Sequence, residues 1–316
     1  MQVVTGTELQ EPCLLTGNPV FSGGLDSLGR YNDPPTWYQA VLATKLLVFW
    51  RLFDSLDAIV IGSSQANWGI NPTLMTGLNT LNMAWPSGDL LGQKNIIINY
   101  IVKHCSNIKL ICSSLDIGWL NNPDGNVNWK NSIAQSKGYL YDSSHEFWPG
   151  GVTKDFKDII SQVPLPTPSD TSNRGFIPLS SQGWGADPPP LTGGPTLLWD
   201  TTDQNYQQNL GAITMLADTL RSRGIHWIMI NFPVSPSYKG SASYSIYGPS
   251  WQTANEIVQN LQELNSSNPY FHFYDANSGG HHDYDSADAF DENHLSAQGA
   301  AKLSLRVDSI IHTILP

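Results

Sequence analysis

The nine residues DAIVIGSSQ, from Asp57 to Gln65, decide the fold class of this chain. A short apolar run that ends at a glycine is typical of a strand buried on both faces of a parallel sheet. A helical pattern from Trp37 to Phe53 precedes this strand. After it come a second short strand at Leu81–Trp85 and a helical pattern over 89–104, with Asp89 as the expected N-cap. This part of the chain therefore predicts alternating strands and helices.

The alternation continues to the C-terminus. A third strand is predicted at Ile108–Cys112, before the polar pair Ser113-Ser114, and two more at 226–232 and 271–275. Helical patterns separate and follow these strands, at 203–223, 251–264 and 296–314. Five strands alternating with helices predict an α/β fold, namely a three-layer α/β/α sandwich with a mainly parallel five-stranded sheet and right-handed crossovers.

Two segments fall outside this alternation. Residues 1–35 contain Gly and Pro residues typical of turns and are predicted to be a surface lead-in segment, whereas 36–316 is predicted to be a single domain. Within that domain, about 119–200 is rich in Trp, Pro and Gly and is interpreted as an insertion that overhangs the sheet edge. Trp148 and Trp184, each flanked by Gly or Pro, are candidates for stacking on a sugar ring. Alternatively, they anchor the insertion to the core.

Composition excludes some classes of partner. Sixteen Lys and Arg against 27 Asp and Glu give a net charge of −11, which argues against binding nucleic acid or an anionic membrane surface. The longest apolar stretch, 40–53, contains Lys45 and Arg51 and is shorter than the roughly 18 residues of a membrane span, so we expect an amphipathic helix. Cys105 and Cys112 are expected to be buried free thiols. The 11 Trp and the Gly/Pro-rich stretches favour a secreted or periplasmic bacterial protein without its signal peptide.

Two motifs follow strands and carry potential chemistry. Gly62-Ser63-Ser64-Gln65 comes directly after the first strand, where a serine can face the cleft near a helix N-terminus. Asp291 and His294 lie three residues apart before the last helix, a spacing at which the carboxylate can orient the imidazole as a base. Each motif alone is also compatible with an ordinary turn, or with a helix cap beside a surface histidine. In a parallel sheet both would lie at the carboxyl edge of the strands.

With these motifs, the chain resembles the SGNH (GDSL-type) hydrolase superfamily. The blocks that carry the resemblance are 60–65, 82–88 and 290–300, the last being FDENHLSAQGA. The resemblance implies Ser64 as the nucleophile, His294 as the base and Asp291 as its orienting carboxylate. It also implies an oxyanion hole formed by the Ser64 and Gly88 amides, and no cofactor.

The chain departs from the family pattern at two positions. Ser63 stands where the family has an aspartate that takes no part in the chemistry. Asp116 stands where an asparagine would donate to the oxyanion, and an ionised aspartate cannot donate. We therefore expect either that Asn121 or Asn122 supplies this donor, or that the backbone amides act alone.

The expected function is a serine esterase that removes acetyl or other small acyl groups from a polysaccharide or oligosaccharide. The Gly-Ser-Ser form of the first block and the segment 231–238 are similar to SGNH branches that add or remove such groups on polysaccharides. Two alternatives remain: a polysaccharide O-acyltransferase with the same triad, and a non-catalytic carbohydrate-binding protein. No metal site is predicted, because His281-His282-Asp283 has no second cluster at zinc-ligand spacing and a solvated loop is the simpler interpretation.

Overall fold

A computed structural model describes residues 37–86, 88–121, 172–185, 198–245 and 248–316. Within these ranges, five strands form one parallel sheet with the order β2-β1-β3-β4-β5. The strands are β1 Ala58–Ile61, β2 Thr80–Asn82, β3 Leu110–Leu115, β4 His226–Asn231 and β5 Phe271–Asp275. The predicted lead-in over 1–35 and most of the predicted insertion lie outside the described residues.

Helices alternate with the strands as the sequence predicts. They are α1 Trp37–Leu52, α2 Ser64–Gly69, α3 Leu90–Ile96, α4 Val102–His104, α5 Gln204–Ser222, α6 Trp251–Ser267 and α7 Ala297–Ile314. A π-helical turn, Ile97–Ile101, joins α3 to α4. Polar side chains cap the helix N-termini: Asp89 accepts from the Gly92 amide at 2.7 Å, and Ser296 caps α7.

The sheet separates two apolar cores, which confirms the three-layer architecture. Along β1, Ile59 and Ile61 belong to one core and Ala58 and Val60 to the other, as expected when successive side chains point to opposite faces. The first core packs α1, the α3–α4 segment, α5 and α6 on one face of the sheet. The second packs α2 and α7 on the opposite face. Burial on both faces explains why β1 reads as a continuous apolar run.

Strand β3 is longer than the sequence predicts. The expected end before Ser113 is wrong, because Ser113 and Ser114 pair with β4 and their hydroxyls find buried partners. Ser113 Oγ accepts from Trp227 Nε1 at 2.7 Å, and Ser114 Oγ accepts from the Ser63 amide at 2.8 Å. These hydrogen bonds remove the cost of burying two polar residues in a central strand.

Helix α1 departs from a simple amphipathic pattern. Lys45, which interrupts the apolar run in the sequence, is itself 3% exposed. No helix among the described residues is both long enough and apolar enough to cross a bilayer. Cys105 and Cys112 are buried free thiols, as expected, and burial together with the Coulomb effect of Asp54 raises the pKa of Cys105 to about 12.

Candidate active site

The turn after β1 places two serines in different environments. Gly62 adopts φ +147°, and a Cβ there would lie 2.1 Å from Ser114 Oγ, so the turn requires glycine. Ser63 is buried, and its hydroxyl caps α2 by accepting from the Gln65 amide at 3.4 Å. Ser64 is the first residue of α2 and is partly exposed. Its amide belongs to the first helical turn, where N–H groups have no intrahelical acceptor.

The structure brings Ser64, His294 and Asp291 into one hydrogen-bonded chain. His294 Nε2 lies 2.8 Å from Ser64 Oγ, and His294 Nδ1 lies 2.9 Å from each carboxylate oxygen of Asp291. The carboxylate also accepts from the amides of Asn293 at 3.0 Å and His294 at 2.9 Å. The short Asp-x-x-His spacing thus folds into a tight turn that fixes the imidazole. A nucleophile, a base and an orienting carboxylate at these distances have the geometry of a hydrolytic triad.

Local contacts keep this turn in place and the carboxylate ionised. Burial raises the pKa of Asp291, but hydrogen bonds from His294 and the two backbone amides outweigh burial and hold that pKa below its ordinary value. Trp68 packs edge-on against the His294 ring, with centroids 4.6 Å apart. Gln65 Nε2 donates to Asn293 O at 3.3 Å. Helix α2 therefore supplies both the nucleophile and two contacts that position the base.

The oxyanion donor expected at Gly88 is engaged elsewhere in the structure. The Gly88 amide donates to Trp85 O at 3.0 Å and closes a turn, so the expectation that it is a free donor is wrong for this conformation. Gly88 still lies beside the nucleophile turn, since a Cβ on it would lie 2.3 Å from Gly62 O. The position therefore requires glycine for close packing, while the Ser64 amide remains as the backbone donor.

Of the two side-chain substitutes expected from the sequence, the structure describes Asn121, which does not supply the missing donor. The Asn121 amide group lies between Gly118 O and Trp199 Nε1, 3.2 Å from each, and is used within its own loop. Asn122 lies outside the described residues. Asp116 occupies the expected asparagine position at the end of β3, where its carboxylate accepts from the Gly118 amide at 3.2 Å.

Asp116 lines a small cavity next to the triad. The cavity has a volume of about 20 Å³, enough for a water molecule. Its walls include Gln65 and Asn293, the sequence neighbours of Ser64 and His294. The Asp116 side chain is partly accessible from this cavity and otherwise enclosed by protein. Burial raises the pKa of Asp116 from 3.8 to about 6, against the smaller lowering effects of the Gly118 amide and His294.

Of the two tryptophans predicted to stack on a sugar ring, the structure describes one. Trp148 lies outside the described residues, so its stacking role stays a prediction. Trp184 is 8% exposed, packs in the second apolar core and contacts the His282 ring at 5.5 Å between centroids. The expectation that Trp184 presents an open face to a sugar is therefore wrong, and the alternative that it anchors the insertion applies to this residue.

The histidines at 281 and 282 are engaged by protein groups. His282 Nε2 lies 2.7 Å from Val234 O, and its Nδ1 lies 3.3 Å from the Tyr284 amide. His281 Nδ1 lies 3.1 Å from Lys239 Nζ. No group of three or more metal-ligating side chains is found in the part of the chain that the structure describes.

Sequence reasoning missed Lys45 as a residue of this region. Its buried ammonium donates to Asn67 Oδ1 at 2.5 Å, to Asn82 Oδ1 at 3.2 Å and to Ala84 O. It thereby links α1 to α2, which carries the nucleophile, and to the loop after β2. A lysine within an apolar helical run was the available signal, but sequence alone does not distinguish a solvated lysine from a buried one.

The described part of the insertion, 172–185, contacts both sides of the site. Near β2, the Asn82 amide donates to Arg174 O at 2.8 Å. Farther along, the Ala297 amide donates to Leu179 O at 2.8 Å, and the Gly183 amide donates to Ala289 O at 3.0 Å. This segment therefore supports the loop that holds His294, in addition to any role in substrate binding.

Comparisons with known proteins add little to this geometry. No protein-family model and no curated protein matches the chain. Among solved structures, it is similar to one from Streptococcus pneumonia that is provisionally named a platelet activating factor. The two share 13% identity at a TM-score of 0.43, over 85% of this chain and 92% of that one. A likeness at this TM-score supports no assignment of fold or function.

Proposed function

We propose that this protein is a serine ester hydrolase of the SGNH type. The observation that carries the proposal is the hydrogen-bonded chain from Ser64 through His294 to Asp291, at 2.8 and 2.9 Å. Parallel strands bring these residues to the carboxyl edge of the sheet, where ligands bind in open α/β folds. The resemblance of three sequence blocks to SGNH hydrolases gives independent support.

In the proposed reaction, Ser64 Oγ attacks the ester carbonyl carbon while His294 Nε2 takes the hydroxyl proton. The carbonyl electron pair moves to oxygen and forms an oxyanion near the Ser64 amide. The bond to the leaving alkoxide then breaks, and His294 returns the proton to that alkoxide. Water attacks the acyl-enzyme with His294 again as base, which releases the carboxylic acid and regenerates Ser64. Asp291 stabilises the imidazolium in both halves of the reaction.

The test is hydrolysis of an aryl acetate by wild type and by two neighbouring serine variants. We expect Ser64→Ala to lose nearly all turnover. Ser63→Ala should keep most of it, because the Ser63 hydroxyl caps α2 and does not face the imidazole. A fluorophosphonate probe should modify Ser64, as located by mass spectrometry of peptides. Modification of Ser63 instead, or full activity of Ser64→Ala, would refute the assigned nucleophile.

The substrate class is the finer part of the proposal. We propose an acylated polysaccharide or oligosaccharide and a secreted or periplasmic location, on the basis of the family resemblance and the tryptophan-rich composition. Acetate release from acetylated xylan by wild type, and not by Ser64→Ala, supports this substrate. Transfer of the acyl group to an added oligosaccharide, without free acetate, indicates an O-acyltransferase. No metal or cofactor is proposed, so a chelator should leave the rate unchanged.

A non-catalytic carbohydrate-binding protein is the second candidate. It is favoured by one observation, that the Gly88 amide is engaged by Trp85 O while an aspartate stands at the asparagine position. Binding of xylan oligosaccharides with no turnover of any acyl ester, and no labelling by the fluorophosphonate, would support this candidate over the hydrolase.

A further inference from the structure

We propose that Asp116 is a further catalytic residue, which donates a hydrogen bond from its neutral carboxylic acid to the oxyanion formed at Ser64. This inference rests on the proposed ester hydrolysis and identifies a side-chain donor that would act beside the Ser64 amide. It also reverses the simplest interpretation of Asp116, in which an aspartate at this position only weakens the oxyanion hole.

The first observation is the position of Asp116 relative to the nucleophile. Asp116 follows β3 in extended conformation, with φ −102° and ψ 101°, so it emerges on the same face as Ser114, two residues earlier. Ser114 Oγ accepts from the Ser63 amide at 2.8 Å, and Ser63 directly precedes the nucleophile. The cavity that Asp116 lines also borders Gln65 and Asn293. The cavity is therefore adjacent to the residues next to Ser64 and His294 in sequence, and His294 acts electrostatically on the Asp116 carboxyl group.

The second observation is that Asp116 keeps an oxygen available for a ligand. One carboxylate oxygen accepts from the Gly118 amide at 3.2 Å, and no hydrogen bond to the other is found among the described residues. In the neutral acid, that second oxygen can carry the proton and donate it. A carboxylic acid held neutral by its surroundings can donate to an oxyanion as an amide does.

The charged and titratable groups around Asp116 permit the neutral form. Among the residues that line the cavity, the titratable ones are Asp116 and Tyr244. Tyr244 Oη accepts from the side-chain amides of Asn231 at 2.5 Å and Asn277 at 2.7 Å, and Asn231 Nδ2 also donates to the Asp275 carboxylate at 2.7 Å. The basic group that acts on Asp116 is His294, which must be neutral when it serves as base. Burial raises the pKa of Asp116 to about 6, so its protonated form is populated in mildly acidic solution.

The reaction balances without any change in the charge of Asp116. When Ser64 Oγ bonds to the carbonyl carbon, its proton passes to His294 and the carbonyl π electrons pass to oxygen. The Asp116 proton stays on Asp116 and only shares a hydrogen bond with that oxygen. When the tetrahedral intermediate collapses, the bond to the leaving alkoxide breaks, His294 protonates it, and the hydrogen bond from Asp116 weakens again.

The test is the pH profile of kcat/KM for an aryl acetate in wild type, Asp116→Asn, Asp116→Ala and the control Asp57→Asn. The profile of kcat/KM reports groups of the free enzyme. The wild-type profile should decline as Asp116 ionises above about pH 6. Asp116→Asn should lose this decline and be more active than wild type at pH 8. Asp116→Ala should lose about 10²-fold at the optimum.

The control and the contrary outcomes separate this inference from the proposed function. Asp57 lies at the opposite, amino edge of β1, and Asp57→Asn should retain the wild-type profile. If Asp116 only caps the turn Ile117–Trp119, asparagine caps it equally well, and the Asp116→Asn profile will overlay that of wild type. That overlay, or an inactive Asp116→Asn beside active wild type, overturns the inference and leaves the hydrolase intact. If Asp116→Ala does not fold, the asparagine variant decides alone. No turnover by wild type at any pH overturns both.

Discussion

Replacing Asp116 by asparagine should stabilise the protein at neutral pH, even without any measurement of activity. Burial raises the pKa of this carboxyl group from 3.8 to about 6, so between these values the folded state binds a proton that the unfolded state has released. The stability of wild type therefore falls as pH rises through this window and is fully reduced above about pH 6. A difference of two pKa units corresponds to about 3 kcal/mol. Asparagine does not titrate, so the Asp116→Asn variant avoids this loss.

The measurement is urea unfolding of wild type and Asp116→Asn between pH 4 and pH 8. The free energy of unfolding of the variant, relative to wild type, should rise by about 2 kcal/mol between pH 4 and pH 6 and level off by about pH 7. Asp57→Asn provides a control of opposite sign. Burial raises the pKa of Asp57, but the Asn79 amide and Lys109 together lower it below its ordinary value. This stabilising effect develops below the ordinary pKa of 3.8, so between pH 4 and pH 8 Asp57→Asn should be less stable than wild type by a nearly constant amount. A pH-independent difference for Asp116→Asn would refute the buried, proton-binding carboxyl group.

Three further substitutions test the local structure of the site. Gly62→Ala should abolish ester turnover and lower stability by about 1–3 kcal/mol, because φ is +147° and the new Cβ would meet Ser114 Oγ. The control Gly211→Ala, in the open middle of α5, should be neutral or stabilising, and equal effects of the two variants in denaturant titration would contradict this reasoning. Lys45→Met should lower the free energy of unfolding by about 3 kcal/mol or more and reduce turnover, because it removes the buried donor to Asn67, Asn82 and Ala84. The control Lys94→Met, at a partly exposed position of α3, should change neither stability nor turnover. Trp184→Ala should lower stability by about 3–5 kcal/mol and reduce turnover of aryl acetate and xylan alike; a loss confined to xylan with an unchanged melting temperature would restore its sugar-binding role.

The five strands and the three layers followed from the sequence because the strands alternate with helical patterns. Ala58–Ile61 is a buried apolar run, and both it and Phe271–Asp275 are short segments bounded by turn signals, which favour strands over helices. The end of β3 was misplaced, because the sequence does not show that Trp227 and the Ser63 amide would satisfy Ser113 and Ser114. Side-chain hydrogen bonds formed across the fold are invisible to local patterns.

The parts of the candidate site that depend on residues close in sequence were predictable, and the parts that depend on tertiary packing were not. Asp291 and His294 are three residues apart, so their contact is local, and Ser64 follows a strand whose edge is fixed by topology. The amide of Gly88 was expected to be free, but whether an amide faces a cleft or closes a turn depends on the path of the backbone. Trp184 is expected to be exposed because Gly183 and Gly185 flank it, yet tertiary packing buries it.

The triad combines a contact between residues close in sequence, Asp291 and His294, with a contact between residues far apart in sequence, His294 and Ser64. Orientation of the imidazole needs only a few neighbouring residues, whereas its meeting with Ser64 requires chain segments 230 positions apart to come together. That encounter depends on how α7 sits against α2, including the bond from the Asn71 amide to Ser304 Oγ at 2.8 Å. A small sliding of the final helix would therefore separate hydroxyl from imidazole while leaving the acid–base pair intact. The packing of α7 against α2 thus helps to set the distance between hydroxyl and imidazole, together with the contacts that Trp68 and Gln65 make with His294 and Asn293.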